Sequence, residues 1–318
     1  MTVPAIISIH VEPTHRVVRG KTQDWDGVPE LVDALMDRRA RLEEASGHPV
    51  HFNWGLRVDP QIEIAYGKPD WVFDRYAPQI EQMKDAGDVI GLHVHTWRPI
   101  RRFWRDTWLA DFEDTDWITY CLSMGIDTFR ERTGSAPATM SFGDSFMHDC
   151  ALPIMQASGI RLDYSMNPHA PPLAALGKGE RSKGHLPDYQ ETPHHPFRPS
   201  ATDFRVPGPT NYTIWELPVT SGIIGKNRDG SDRWTKLLLG EKLERITAIT
   251  AQALQRPMPY LFAESRTDVL THPKTRLRYF QALDHLEELA RDKKLEFAGL
   301  ETICDRLDRE EWSPECLT

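Results

Sequence analysis

The stretch Val89-Ile90-Gly91-Leu92-His93-Val94-His95-Thr96-Trp97 decides how this chain is read. Val89 to Leu92 is an apolar run interrupted by one glycine, the pattern of a buried strand. It runs directly into two histidines one residue apart. In an extended backbone residues i and i+2 project to the same side, so His93 and His95 can present both imidazoles to one point. Imidazole is a common ligand of divalent metals, and three protein ligands plus a water make a hydrolytic site. The competing reading is two strand-end histidines in ordinary hydrogen bonds.

The pattern recurs on either side. Ala5-Ile6-Ile7-Ser8-Ile9-His10-Val11 is β-branched and ends in His10 and Glu12, again an i, i+2 pair, before Pro13 stops it. Residues 26–45 have helical spacing, with Asp26 as the expected N-cap. Residues 50–55 read as a strand and 69–86 as a helix. Further helices are expected over 115–133, 148–158, 240–254, 274–293 and 300–309, and strands over 138–142, 159–165, 214–220, 260–263 and 295–297. This alternation predicts an α/β fold, a distorted (β/α) barrel of about seven parallel strands. In such barrels the site lies at the C-terminal ends of the strands, where Glu12, His93 and Asp144 fall. Residues 168–209 break the rhythm and are rich in Pro, Gly and His. A loop of that length is a lid, a binding loop or disordered. With no repeat and no domain boundary, residues 1–318 read as a single domain with a loop insertion at about 168–212.

Composition narrows the function classes. The 318 residues, 40% hydrophobic and 27% charged, are enough for a large core. A net charge of −9 argues against a nucleic-acid partner. No apolar run approaches the ~20 residues of a membrane span. The opening residues enter a strand with no basic region or cleavage site, which points to a cytoplasmic protein. Cys121, Cys150, Cys304 and Cys316 are scattered, as reduced thiols would be. A small-molecule or carbohydrate partner fits this composition, and a homo-oligomer is left open.

The motifs, in order, resemble those of the polysaccharide deacetylase (NodB-homology) superfamily. They are Ile9-His10-Val11-Glu12-Pro13; Gly91-Leu92-His93; Ser141-Phe142-Gly143-Asp144 with Gly159-Ile160-Arg161-Leu162-Asp163-Tyr164-Ser165; Trp215-Glu216-Leu217-Pro218-Val219; and Asp268-Val269-Leu270-Thr271-His272-Pro273. The resemblance covers most of the chain through short motifs. It implies a divalent metal, zinc first and Co2+, Mn2+ or Fe2+ as alternatives, held by one carboxylate and two histidines. The metal-activated water would attack an N-acyl group on a sugar. Carried over, Glu12 is the carboxylate ligand, His93 the first histidine ligand and His272 the general acid. Where the family has its second histidine, four residues after the first, this chain has Trp97, so His95 takes that role. Where the family has its base, an acid, this chain has His10, and the arginine that orients that base is absent around Ser141. His10 is then the base, a fourth ligand or a bystander, and Asp144 is either the missing carboxylate or a helix N-cap.

Trp97, Trp54 and Trp215 lie near strand ends, where they can stack on a sugar or fill the core. Glu216 and Arg266 can hold substrate hydroxyls or pair with each other. Two function classes follow. One is a metal-dependent amide hydrolase removing an acetyl-type group from an amino sugar or related carbohydrate. The other is a catalytically impaired relative that binds a glycan or other ligand without hydrolysis.

Overall fold

The computed structural model describes residues 2–15, 18, 25–102, 105–173, 181–292 and 295–312. Its strands are β1 (Val3–Val11), β2 (Asn53–Arg57), β3 (Val89–Val94), β4 (Trp97–Arg102), β5 (Arg105–Asp111), β6 (Thr139–Phe142), β7 (Leu162–Asp163), β8 (Ser182–Lys183), β9 (Trp215–Glu216), β10 (Ser221–Lys226), β11 (Asp232–Lys236), β12 (Leu261–Arg266) and β13 (Leu295–Phe297). Seven of them form a continuous parallel path in the order β12-β1-β2-β3-β6-β7-β9, with β13 pairing β1. The chain is thus a distorted (β/α) barrel. The ends of the path meet irregularly: Phe262 N–H donates to Thr220 Oγ1 at 2.8 Å, and residues 237–239 bond both Thr220 and Glu264.

The strands are apolar because both faces are covered. Along β1, Ala5, Ile7, Ile9 and Val11 join the main core with Leu31, Leu35 and Leu283 from the helices. Ile6, on the opposite face, joins a second cluster with Tyr164, Leu217, Phe262 and the helix Leu300–Asp308. The helix Thr115–Thr133 starts where Asp114 accepts a hydrogen bond from Trp117 N–H and stops at Gly134, whose φ of 84° suits the left-handed cap. The helix Val28–Ser46 starts at Gly27 with no side-chain cap, so Asp26 is not the cap its type suggested. The helix expected over 69–86 is two short helices, Trp71–Arg75 and Ala77–Asp85, and a further one, Pro60–Tyr66, precedes them.

Two hairpins escaped the sequence pattern. β4 and β5 pair antiparallel immediately after His95-Thr96, and β8 adds to β5. Trp97-Arg98-Pro99-Ile100-Arg101-Arg102 holds a proline and three arginines, a composition depleted in strands. β10 and β11 pair antiparallel beside the barrel mouth. The described part of the 168–212 stretch packs onto the protein through Tyr189, Phe197 and Phe204, all buried.

Candidate active site

Register brings the polar strand ends together. In β1, Ser8 and His10 share the face opposite the main core; His10 is level with Arg266 of β12 on one side and Gly55 of β2 on the other. Gly55 in turn is level with Gly91, and Arg57 with His93. Because Gly55 carries no side chain between them, the rings of His10 and His93 stack at 4.1 Å. A Cβ on Gly55 would touch both rings' residues, 3.7 Å from His10 Cδ2 and 3.4 Å from His93 Cβ, and would crowd Tyr164 Oη at 3.1 Å. Glu12 follows β1 and reaches the same point.

Three acceptor atoms converge there. His95 Nε2 lies 3.1 Å from His93 Nε2 and 3.1 Å from Glu12 Oε2, and His93 Nε2 lies 3.8 Å from Glu12 Oε2. The other ring nitrogens face outward to partners: His93 Nδ1 to Ser141 Oγ at 2.9 Å, and His95 Nδ1 to Asp144 Oδ2 at 3.0 Å. Outer partners of this kind fix imidazole orientation and leave the inner nitrogens as ligands. The separations match those that ligands ~2.0–2.2 Å from one ion keep from one another. His10, Glu12 and His93 form an overlapping triplet with ligand atoms within 4.8 Å of each other. His10 Nε2 is buried without a hydrogen-bond partner, and Glu264 Oε1 is the nearest charge at 3.9 Å. The residues therefore fit a divalent ion, which Glu12, His93 and His95 would hold with His10 beside them.

Electrostatics agree. Burial alone would raise the Glu12 pKa, but Arg266 and the hydrogen bonds from His93 and His95 outweigh it and hold the carboxyl well below its ordinary range. Burial and mutual repulsion lower His10 to about 3; burial also lowers His93, to about 4, despite Glu12. Burial and Arg57 push His95 down, yet Asp144 and Glu12 prevail and its pKa is raised. The centre thus favours one positive charge among three acceptors, as a proton on His95 or as a metal ion.

A pH prediction follows for chelator-treated protein. His10 and His93 are neutral when folded at pH values where the unfolded chain, titrating near 6.5, already binds protons. Their contribution is therefore complete above that unfolded pKa and is lost as pH falls toward the folded values. For His93 this amounts to roughly 3 kcal/mol, partly offset by His95. Thermal melts should show Tm falling between pH 6.5 and 4, less steeply in His93→Gln; equal slopes would refute the assignment.

Glu12 is also clamped from behind. Arg266 Nη1 lies 3.0 Å from Oε1, and the fully buried Arg57 places Nη1 3.5 Å from Oε2. Arg57 Nε donates to Asp59 at 2.7 Å, and Asp59 accepts from His95 N–H at 3.1 Å. Asp144, with φ of 61°, is not a helix cap: it accepts from His95 and from Trp97 Nε1 at 2.8 Å. Glu12, Arg266 and Asp144 line a cavity of about 290 Å3 with His10, His93, His95, Lys236, Glu264, Ser165, Asn167 and Tyr189.

Several expected residues lie elsewhere. Trp97 is fully buried and supports Asp144, so it offers no face to a sugar. Trp54 is fully buried and donates to Asp88 at 2.8 Å, on the helix side of the sheet. Trp215 packs under Arg198 and donates to Asp308, away from the cavity. Glu216 is buried opposite Asp163, and burial together with that neighbour's charge raises its pKa well above the ordinary value. Arg266 reaches the cavity, but its partners are Glu12 and Asp268, not Glu216. His272 is exposed, caps the helix Pro273–Arg291 by accepting from Lys274 N–H at 3.2 Å, and does not line the cavity. Arg57, Asp59, Lys236, Glu264, Asn167 and Tyr189 were missed. Arg57-Val58-Asp59 and Glu264-Ser265-Arg266 carry the i, i+2 polar pattern of His10/Glu12 and His93/His95, which was the signal for three of them, Arg57, Asp59 and Glu264.

No family model matches the sequence, and no curated protein matches it. Seventeen chains of solved structures match the fold. A Parabacteroides distasonis protein, provisionally described as a glycoside hydrolase/deacetylase, is 13% identical with a TM-score of 0.60 over 97% of this chain and 72% of its own. A Mycobacterium smegmatis protein, provisionally described as a polysaccharide deacetylase, is 13% identical with a TM-score of 0.51 over 98% and 92%. One from Pseudomonas aeruginosa, also provisionally a polysaccharide deacetylase, is 12% identical with a TM-score of 0.50 over 98% and 92%. The strand order, the site at the strand ends and these neighbours agree: the chain has the polysaccharide deacetylase (NodB-homology) fold, in a divergent form.

Proposed function

We propose that the protein is a metal-dependent amide hydrolase that removes an acetyl-type N-acyl group from an amino sugar or related carbohydrate. The observation that carries this reading is the convergence of Glu12 Oε2, His93 Nε2 and His95 Nε2, with both histidines held from behind. Glu12, His93 and His95 would hold the ion, with His10 beside them; zinc suits this donor set, and cobalt, manganese or iron(II) are alternatives. An ion bound there lowers the pKa of a water and polarises a carbonyl. Arg266 and Arg57 keep Glu12 ionised, and Ser141 and Asp144 keep the imidazoles aimed inward. His10, whose Nε2 has no hydrogen-bond partner and lies 3.9 Å from Glu264 Oε1, is the cavity group placed to take a proton and return it to the leaving amine.

A second reading, ligand binding without hydrolysis, draws support from His272, which stays outside the cavity. One experiment separates them. Untagged protein should carry about one equivalent of metal, lost in Glu12→Ala and His93→Ala. Amine release from N-acetylated sugars should stop with chelator and return with zinc. His95→Ala should lose metal and His10→Ala should lose turnover. Metal-free protein that takes up no zinc would overturn the hydrolase reading.

A further inference from the structure

The cavity holds more buried polarity than the proposed metal centre uses. Asn167 and Tyr189 both line it and are each 1% exposed. Asn167 Oδ1 and Tyr189 Oη have no hydrogen-bond partner in the protein. A buried polar atom left unmade costs about 1–3 kcal/mol, so two on one wall mark positions a ligand completes. The amide oxygen accepts, so it calls for an N–H or O–H; the phenol donates readily to a carbonyl or hydroxyl oxygen. Burial and the charges of Asp163 and Glu216 hold the Tyr189 pKa well above its ordinary value, which keeps that proton in place. Their backbones are tied to one another through Ala170: Tyr189 N–H donates to Ala170 O at 2.9 Å, and Asn167 O accepts from Ala170 N–H at 3.1 Å.

The cations in the cavity wall are already committed. Lys236 pairs with Glu264, and Arg266 with Glu12 and Asp268. Among the described residues none is left to neutralise a phosphate or carboxylate. The remaining wall is mostly apolar, with Phe142, Leu173, Leu186, Pro187, Trp234 and Leu238 beside the small hydroxyls of Ser145, Ser165 and Ser265. The volume of about 290 Å3 sits at the low end of small-molecule pockets, ~300–1,000 Å3.

We propose that the site is specific for a single compact, uncharged N-acyl unit with an apolar acyl portion, and that Asn167 and Tyr189 are its specificity-determining hydrogen-bond partners. This rests on the amide-hydrolase reading and narrows it to a monomer-sized substrate, with a polymer excluded. The apolar wall takes the acyl chain, and the Asn167–Tyr189 wall takes hydroxyl or amide groups of the body.

The test is calorimetric binding, read apart from turnover, with three probes: N-hexanoyl-glucosamine, its 6-phosphate, and the N-acetylated chitin hexamer. Wild type should bind the uncharged monomer at least about tenfold more tightly than the other two. Tyr189→Phe should weaken that binding about tenfold, the worth of one good hydrogen bond. Its Tm should stay level or rise, because the hydroxyl it removes has no partner in the free protein. Asn167→Leu, similar in volume, should behave alike. Equal or tighter binding of phosphate or hexamer, failure of all three probes to bind, or unchanged affinity in both variants would overturn the proposal. Metal content is measured on the same samples: this binding pattern in protein that takes up no zinc would sink the hydrolase reading and leave the ligand class standing.

Discussion

A Gly143→Ala variant is expected to lose zinc affinity by about 100-fold while remaining folded, an effect at the upper end of those seen when groups orienting a ligand are altered. Gly143 follows β6 and lies against the His95 ring. A methyl group there would stand 2.0 Å from Nε2 and 2.1 Å from Cε1, far inside contact distance. The ring has no slack. Asp144 holds its Nδ1 and Asp59 holds its backbone N–H. It must therefore rotate, and its nitrogen leaves Glu12. Gly143 is not among the glycines with positive φ, so alanine suits the backbone itself and the damage is confined to the site. Zinc titration and a far-ultraviolet spectrum together check this; wild-type zinc affinity in the variant would show that His95 is not a ligand.

Arg57→Met is expected to destabilise the metal-free protein by about 3–5 kcal/mol, the usual result of removing one partner from a buried ion pair. Arg57 ends β2 with no exposed surface and lies between Asp59, Gln61 and Glu12. Without it, Asp59 keeps a buried charge while still capping the helix Pro60–Tyr66 through Ile62 N–H at 3.1 Å. Glu12 keeps Arg266. A bound ion would offset part of the lost charge at Glu12, so the loss should be smaller with zinc than with chelator. Urea midpoints measured both ways decide it, and an equal loss in both states would separate Arg57 from the metal centre.

These variants come from contacts that no single stretch of sequence contains. Alternation and turn residues made most of the sheet and the helix Thr115–Thr133 legible, because a strand covered on both faces must be apolar and a helix stripe must repeat. His-x-His and His-x-Glu were legible for the same local reason, since i and i+2 share a face of a strand. The hairpins were not, because Pro99 and the arginines of β4 are tolerated only where a short sheet lies outside the barrel.

Local pattern is enough to specify the repeating strand and helix, the polar pairs at strand ends, and the pairing of His93 with His95. Which of those ends meet depends on the assembled sheet. The order β12-β1-β2-β3 sets Arg266, His10, Gly55 and His93 in neighbouring strands, so Arg266 clamps Glu12 and Gly55 lets two imidazoles stack. It also turned Trp97 inward to Asp144 and left His272 on the surface as a helix cap. Local periodicity says which side of its own strand a residue occupies; sheet order and register, set by packing over the whole chain, say what it faces.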